Sequence, residues 1–385
     1  MTRKSTVSQM IMFSLPLCGI WPGKSIVLII RMFWIFAAVF IEFCHYYYFF
    51  THLSSQYFFN LVDCFCTSLA HGKVIIKLIL FWINQQKLME IMALIADDWK
   101  DCANSDIGVH VTMEKAKISD RISKIIILLN SLSVISYCSE IILADADVTK
   151  TAELPYINNM KFPFNINTQN MYRFVLIAEF LHMFMSNWTS GLVNAMILIL
   201  VFHVGGQIEI LQSWLSKLTI SEIGNKEESI VTAINKIIRK HQKIIKFSEN
   251  IEDLYTYISL ILFAANTLSI CMLGFIIITA IDSPDAVNLI IKCLLFFTTT
   301  NLEAFIYCYA GEYLSNKSKA IGLATYNSPW YTLRPKDSRV LLFIILRSQK
   351  QLTLTAGTII ELSFVSFTSI MNASGSYLSM LLGMQ

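Results

Sequence analysis

The chain has 385 residues, of which 55% are apolar and 15% charged, and its mean hydropathy is +0.56. Soluble domains carry about 25% charged residues, so this balance argues against a water-soluble globule. The net charge of +3 is too small to mark a polyanionic partner, and no nucleic acid is expected.

Phe (26) and Met (16) are abundant while Gly (14) and Pro (7) are sparse, which points to a helical bundle. A membrane barrel would instead show alternating segments of about ten residues. The expected fold is an all-α membrane protein with seven transmembrane helices.

The first 25 residues read as a cytosolic N-terminal segment. Its apolar run at 10–20 is interrupted by Pro16 and Gly19 and is followed by no small-residue cleavage site. No removed leader is therefore expected. Apolar stretches long enough to span fall near 26–50, 57–83, 122–144, 171–203, 252–281, 286–311 and 355–385. They divide the chain into four spans over 26–203, with a loop at 145–170, then an extension at 204–251. Two spans over 252–311, a segment at 312–354 and a last helix at 355–385 complete it.

Lys and Arg are distributed very unevenly between the connections. The N-terminus has three, the 2–3 connection five, and the 4–5 and 6–7 connections seven each. The opposite side has two, Lys150 and Lys161. The positive-inside rule then places the N-terminus in the cytosol and the C-terminus outside. That orientation is the reverse of a G-protein-coupled receptor. Asp-Arg-Tyr after the third span and Asn-Pro-x-x-Tyr in the seventh are also absent.

Several stretches call for a partner. Between Ile230 and Leu254 apolar residues recur at helical spacing with Lys236, Arg239, Lys240 and Lys243 between them. This stretch either lies on anionic lipid or packs into a cytosolic helical domain. The run Arg339 to Arg347 is too short to span and must be covered, within the subunit or between subunits. The 145–170 loop, with Pro155, Tyr156, Phe162, Pro163 and Phe164, either covers a pocket or packs on helix ends.

Ionisable residues inside the spans are Arg31, Glu42, His45, Lys73, Lys77, Glu179, Lys292 and Glu303. Charges at membrane depth are costly and mark function or pairing. Lys73 or Lys77 is the expected partner of Glu303. The nine cysteines are odd in number and lie mostly in apolar runs, without disulfide or metal spacing. No HExxH, GxSxG or phosphate-binding loop occurs, so no enzyme, cofactor or metal is expected. Internal repeats of the kind transporters carry are missing too.

Several motifs, in order, resemble those of the insect odorant receptor family. Gly19-Ile-Trp21-Pro22 is similar to its Gly-x-Trp-Pro motif. Tyr307-Cys308-Tyr309-Ala310-Gly311 resembles its Tyr-Cys-x-x-Gly pattern, and Tyr326 to Trp330 its Tyr-x-x-x-Trp segment. Arg347-Ser348-Gln349, Leu354-Thr355-Ala356-Gly357 and Phe367-Thr368-Ser369-Ile370 follow. The ending Ser374-Gly375-Ser376-Tyr377 is similar to the family's Ser-Tyr-Ser-Tyr, with Gly375 in place of the first Tyr. The Thr-Tyr…Gln-Phe pattern of the sister gustatory receptors is not found, so a gustatory-type channel is the alternative and a metabotropic seven-helix receptor a more distant one.

The resemblance implies an odorant receptor that is a ligand-gated, non-selective cation channel subunit. It implies a heterotetramer with an olfactory co-receptor in the plasma membrane of olfactory sensory neurons. The seventh helix would line the pore, and the cytosolic segments would form the inter-subunit anchor. A small volatile odorant would bind in the outer half of the bundle, surrounded by membrane lipid. Candidate ligand-binding residues there are Phe58, Phe59, Val62, Ser136, Tyr137, Glu140, Tyr172, Phe174, Ile177, Leu181, Met272, Phe296, Phe297 and Thr300. Tyr137 and Thr300 would orient a polar end. On the last helix Ala373, Tyr377, Met380 and Met384 share a face. The resemblance places the gate near Met380, with Gly383 and Met384 around it. A chain ending at the outer mouth of a pore needs no solvated tail, which would account for the apolar close at Gln385.

Overall fold

The structure is a computed structural model. It describes residues 5–20, 25–53, 58–103, 105–144, 146, 148, 154–218, 227–281 and 286–383; the side chains at 25, 59, 227–229 and 286 lie outside that description. Ten α-helices run through the described residues. They are α1 (Gln9–Leu17), α2 (Ser25–Thr51), α3 (Phe58–Ile83), α4 (Gln85–Cys102) and α5 (Asp106–Ala144). After them come α6 (Gln169–Ser216), α7 (Glu227–Ala280), α8 (Ala286–Tyr326), α9 (Pro335–Gln349) and α10 (Phe364–Gly383).

Local signals set several helix ends. Ser8 and Thr168 cap α1 and α6 by accepting the N–H groups of Ile11 and Met171. Gly19 ends the turn after α1 with φ +68°. Its carbonyl accepts Arg31 Nε at 2.8 Å. A Cβ there would meet Arg31 Cγ at 2.9 Å, so glycine is needed for both conformation and space. Trp21 and Pro22 of that motif lie outside the described residues.

Six helices, α2, α3, α5, α6, α7 and α8, are long and apolar enough to cross a membrane. The seventh expected span differs in start and character. Residues 355–361 form a small antiparallel hairpin, Thr355–Ala356 against Ile360–Glu361, rather than helix. Gly357 turns it with φ +64° and donates its N–H to the Thr256 carbonyl at 3.0 Å on α7. The helix itself, α10, begins at Phe364 and carries Ser366, Thr368, Ser369, Asn372, Ser374, Ser376 and Ser379. Their polarity separates it from the other six. Thr368, Ser369, Ser374, Ser376 and Ser379 each return a hydroxyl to the carbonyl four residues earlier, which satisfies them within the helix.

Other expected boundaries move for a simpler reason. The spans are parts of longer helices: α5 starts at Asp106, α6 runs to Ser216, α7 starts at Glu227 and α8 runs to Tyr326. Hydropathy marks only the apolar stretch of a helix, and the amphipathic turns beyond it continue unbroken. Residues 230–251 are thus the first turns of α7.

α6 is the central element. Its side chains from Leu192 to Ile208 are all buried, and α5, α7 and α8 pack around it. A helix apolar all round belongs inside a bundle. α2 lies at the edge and keeps Ile29, Phe33 and Phe36 exposed. That surface matches hydrocarbon rather than water. The Arg339–Arg347 run is part of α9, with Leu341 and Ile344 buried and Leu342, Phe343 and Leu346 exposed. All nine cysteines are buried and unpaired.

Candidate functional site

A cavity of about 100 Å³ opens among α3, α5, α6 and α8. α3 supplies Thr67, His71, Lys73 and Val74, and α5 supplies Asn130, Ser133, Val134 and Tyr137. α6 supplies Met183, Ser186, Ser190 and Asn194, and α8 supplies Phe296, Thr300, Glu303 and Ile306. Asn158 closes it from the 154–168 connection.

That connection is held down by one carboxylate. Glu179 on α6 accepts the backbone N–H of Ile157 at 3.2 Å and of Asn158 at 2.6 Å. Tyr172 donates its hydroxyl to the Pro155 carbonyl at 2.6 Å. The loop therefore covers the cavity, one of the two roles left open by its sequence.

The opposite wall is charged. Glu303 pairs with Lys73 at 3.0 Å through Oε2 and with Lys77 through Oε1. Ser190 at 3.2 Å and Asn194 at 3.1 Å also donate to Oε1. Lys73 reaches Asn266 Oδ1 at 2.7 Å. Both expected partners of Glu303 are thus present. The three charges are net positive, buried and fully hydrogen-bonded through the carboxylate.

Three expected ligand-binding residues line this cavity: Tyr137, Phe296 and Thr300. The structure does not bring the others to it. Val62, Met272 and Phe297 pack in a neighbouring apolar cluster with Leu273 and Ile276. Phe58 stacks edge-on with Phe275. Tyr172 is fully buried beneath the loop. Phe174, Ile177 and Leu181 face outward, Phe174 being 71% exposed. Ser136 is exposed, and Glu140 pairs with Lys292 at 2.8 Å. The side chain of Phe59 lies outside the described ones. The outward residues share the periodicity of the inward ones, and apolarity does not separate a lipid face from a pocket face. His71, Asn158, Ser186 and Asn194 were not anticipated. The intramembrane charges were the available signal, since Lys73, Lys77 and Glu303 mark the cavity wall.

On α10, Ile370 and Ser374 are buried while Thr368, Asn372, Ser376, Ser379 and Gly383 are exposed along one face. Of the expected gate residues, Ala373 is partly buried, and Tyr377 and Met380 are exposed by 50% and 66%. Met384 lies outside the described residues.

A second polar cluster sits at the end of the bundle remote from the 154–168 loop. Asp98 on α4 meets Lys240 at 2.9 Å, Lys243 at 3.1 Å and His203 Nε2 at 3.2 Å. Thr6 lies 2.8 Å from His203 Nδ1 and accepts Trp99 Nε1 at 2.9 Å.

These features define a helical membrane protein with a small cavity inside its bundle. The family described as 7tm Odorant receptor matches residues 58–375, and the chain belongs to the insect odorant receptor family. It is similar to Odorant receptor 67c of Drosophila melanogaster, 27% identical over 41% of this chain and 38% of that one. Odorant receptor 10 of Aedes albopictus is 30% identical over 46% of each chain. The match spans less than half the length of these relatives. The fold is similar to the solved structure of the insect olfactory receptor OR5 from Machilis hrabei in complex with eugenol. The TM-score is 0.80 at 14% identity, covering 98% of this chain and 97% of that one. The family and the structural neighbour are receptors.

Proposed function

We propose that this chain is the ligand-specific subunit of an odorant-gated, non-selective cation channel. A small volatile binds in the cavity, and the pore is lined by α10 of several subunits. The observation that carries this reading is that α8 faces both. Phe296, Thr300 and Glu303 line the cavity. Their neighbours Phe297 and Ala304 pack on Ile370 and Phe367 of α10. A ligand that pushes on one side of α8 shifts the seat of α10 on the other.

The exposed polar stripe of α10 supports a water-filled path, since a lipid-facing helix would show apolar side chains there. The Tyr377 and Met380 face serves as the constriction, where an apolar ring closes by dewetting. The basic connections set the N-terminus in the cytosol and the C-terminus outside. The cavity then lies in the outer half. The exposed Leu342, Phe343 and Leu346 of α9 form the cytosolic anchor between subunits. An olfactory co-receptor completes a heterotetramer in the plasma membrane of sensory neurons.

The test is whole-cell current in cells expressing this chain, the co-receptor, or both, with G-protein signalling blocked. Fast inward current on odorant application in the co-expressing cells alone is the expected result. A response abolished by the block would replace the channel with a metabotropic receptor.

A further inference from the structure

Two cavity-lining atoms, His71 Nδ1 and Asn158 Oδ1, have no hydrogen-bond partner among the described residues. Their residues are 6% and 3% exposed. The charged groups of the cavity and the amide nitrogen of Asn158 are engaged. Glu303 is held by Lys73 and Lys77, and Asn158 Nδ2 already reaches Met183 Sδ at 3.3 Å. Buried polar atoms in native proteins are almost always satisfied, so two unsatisfied ones on a single cavity point to something that enters it.

We infer that the cavity recognises a small neutral molecule bearing a hydroxyl group, an alcohol or a phenol, through His71 and Asn158. This rests on the cavity being the odorant site. A carbonyl oxygen such as Asn158 Oδ1 accepts only, so its partner must donate. The His71 nitrogen donates or accepts according to tautomer. With the proton on Nδ1, His71 donates, and one hydroxyl then serves both atoms, accepting from His71 and donating to Asn158 Oδ1. Ethers, ketones, esters and hydrocarbons offer no donor. A carboxylate offers none either. An ammonium donates, but the adjoining Lys73, Lys77 and Glu303 are net positive and repel it.

Competition with water reinforces the choice. A polar cavity is hydrated when empty, and a ligand gains only if it reproduces the bonds of the water it displaces. The apolar remainder of the ligand meets Val74, Val134 and Phe296. An apolar cavity of about 150 Å³ takes benzene, so in this smaller one a single ring or a short chain is the upper limit of size.

The test uses three probes with equal heavy-atom counts: benzyl alcohol, its isomer anisole, and ethylbenzene. They offer a donor and acceptor, an acceptor only, and neither. Each is titrated against the purified full-length chain in lipid nanodiscs, with melting temperature as the readout. Benzyl alcohol should bind at least about tenfold more tightly than the other two, equivalent to ~1.4 kcal/mol. In Asn158→Leu and in His71→Phe that preference should collapse toward unity while ethylbenzene binding persists. Equal binding of all three to the native chain would overturn the inference, as would binding of none. A preference that survives both substitutions would do the same. The native comparison needs no variant, so misfolding of either leaves it decisive. Currents evoked by the same probes separate the two readings. Equal currents from all three keep the gated channel and reject hydroxyl recognition. Selective binding without current keeps the recognition and rejects the channel.

Discussion

Lys73 Nζ lies 3.0 Å from Glu303 Oε2, closing an ion pair across 230 positions of sequence. Lys77, one turn further along α3, takes the other carboxylate oxygen. Together they tie α3 to α8 at the wall of the cavity. Charges buried this deeply are tolerated only when paired and fully hydrogen-bonded, and Ser190, Asn194 and Asn266 complete that shell.

Removing the carboxylate should therefore be far worse than removing one lysine. Glu303→Leu leaves two buried cations without a counter-charge, a loss of about 3–5 kcal/mol. Lys73→Met leaves Lys77 still paired and should be milder. Melting temperature and surface delivery of the two variants measure the order. A Lys73 variant as damaging as the Glu303 one would contradict the pairing.

Packing gives Gly311, the fifth residue of the Tyr307-to-Gly311 motif, a physical meaning. A Cβ there would meet the Leu362 carbonyl oxygen and come within 2.6 Å of Leu362 Cβ. The glycine lets the chain before α10 press against α8. Gly311→Ala should cost at least about 1–3 kcal/mol, because the obstacle is backbone and cannot rotate away. Gly383→Ala meets nothing within 4 Å and serves as the control. Thermal unfolding of both variants checks the contrast.

Asp98 should make the basic end of the bundle acid-sensitive. Burial alone would raise its carboxyl, but the His203 hydrogen bond and the Lys240 charge outweigh it and hold the group well below the usual carboxylate range. A depressed folded pKa stabilises the native state above the unfolded value of 3.8. That stability is lost as pH falls below it, because the unfolded chain takes up the proton first. Melting curves from about pH 6 to about pH 3 should show the fall, and Asp98→Asn should flatten it while lowering stability at every pH.

What could be read from the chain follows how locally each feature is encoded. Span positions are local, and six of them appear in the structure where hydropathy put their apolar stretches. The apolar residues of 355–363 carry the hydropathy of a span and mask a turn set by Gly357 and Thr358, both at positive φ. The cavity was only partly legible. Tyr137, Phe296 and Thr300 were found because they sit on inward faces, whereas Phe174 and Leu181 have the same chemistry on the opposite side. Asn158 and His71 carry no periodic signal; only the folding of the loop onto α6 brings Asn158 to the site. The Asp98 cluster was hidden for the same reason, since Lys240 looks like any lysine on an amphipathic helix until α4 supplies its partner.

If the chain gates a pore as proposed, coupling between cavity and pore should fail at the contact of α8 with α10. Ile370 is buried against Ala304 and Phe297 and is not among the residues that line the cavity. Ile370→Val removes one methylene at a cost of about 0.5–1.5 kcal/mol, small enough to keep the fold. Ligand binding by titration should be unchanged while the maximal current falls. Parallel loss of both would place Ile370 in general packing rather than in transmission.

In the proposed channel, two substitutions decide which face of α10 meets the ions. Thr368, Asn372, Ser376 and Ser379 lie opposite the buried Ile370 and Ser374, roughly a third of a turn from the face of Tyr377 and Met380. If the serine face lines the path, Ser376→Leu dries it, and current should fall on the order of tenfold, about 1.4 kcal/mol of added barrier. Met380→Ser should act differently. It wets the constriction, and current should then leak without ligand. Single-channel recording of the two variants separates conductance from opening. A Ser376 variant of native conductance, beside a Met380 variant that blocks, would move the pore wall to the face of the bulky side chains and leave the serines as internal satisfaction of a helix in lipid.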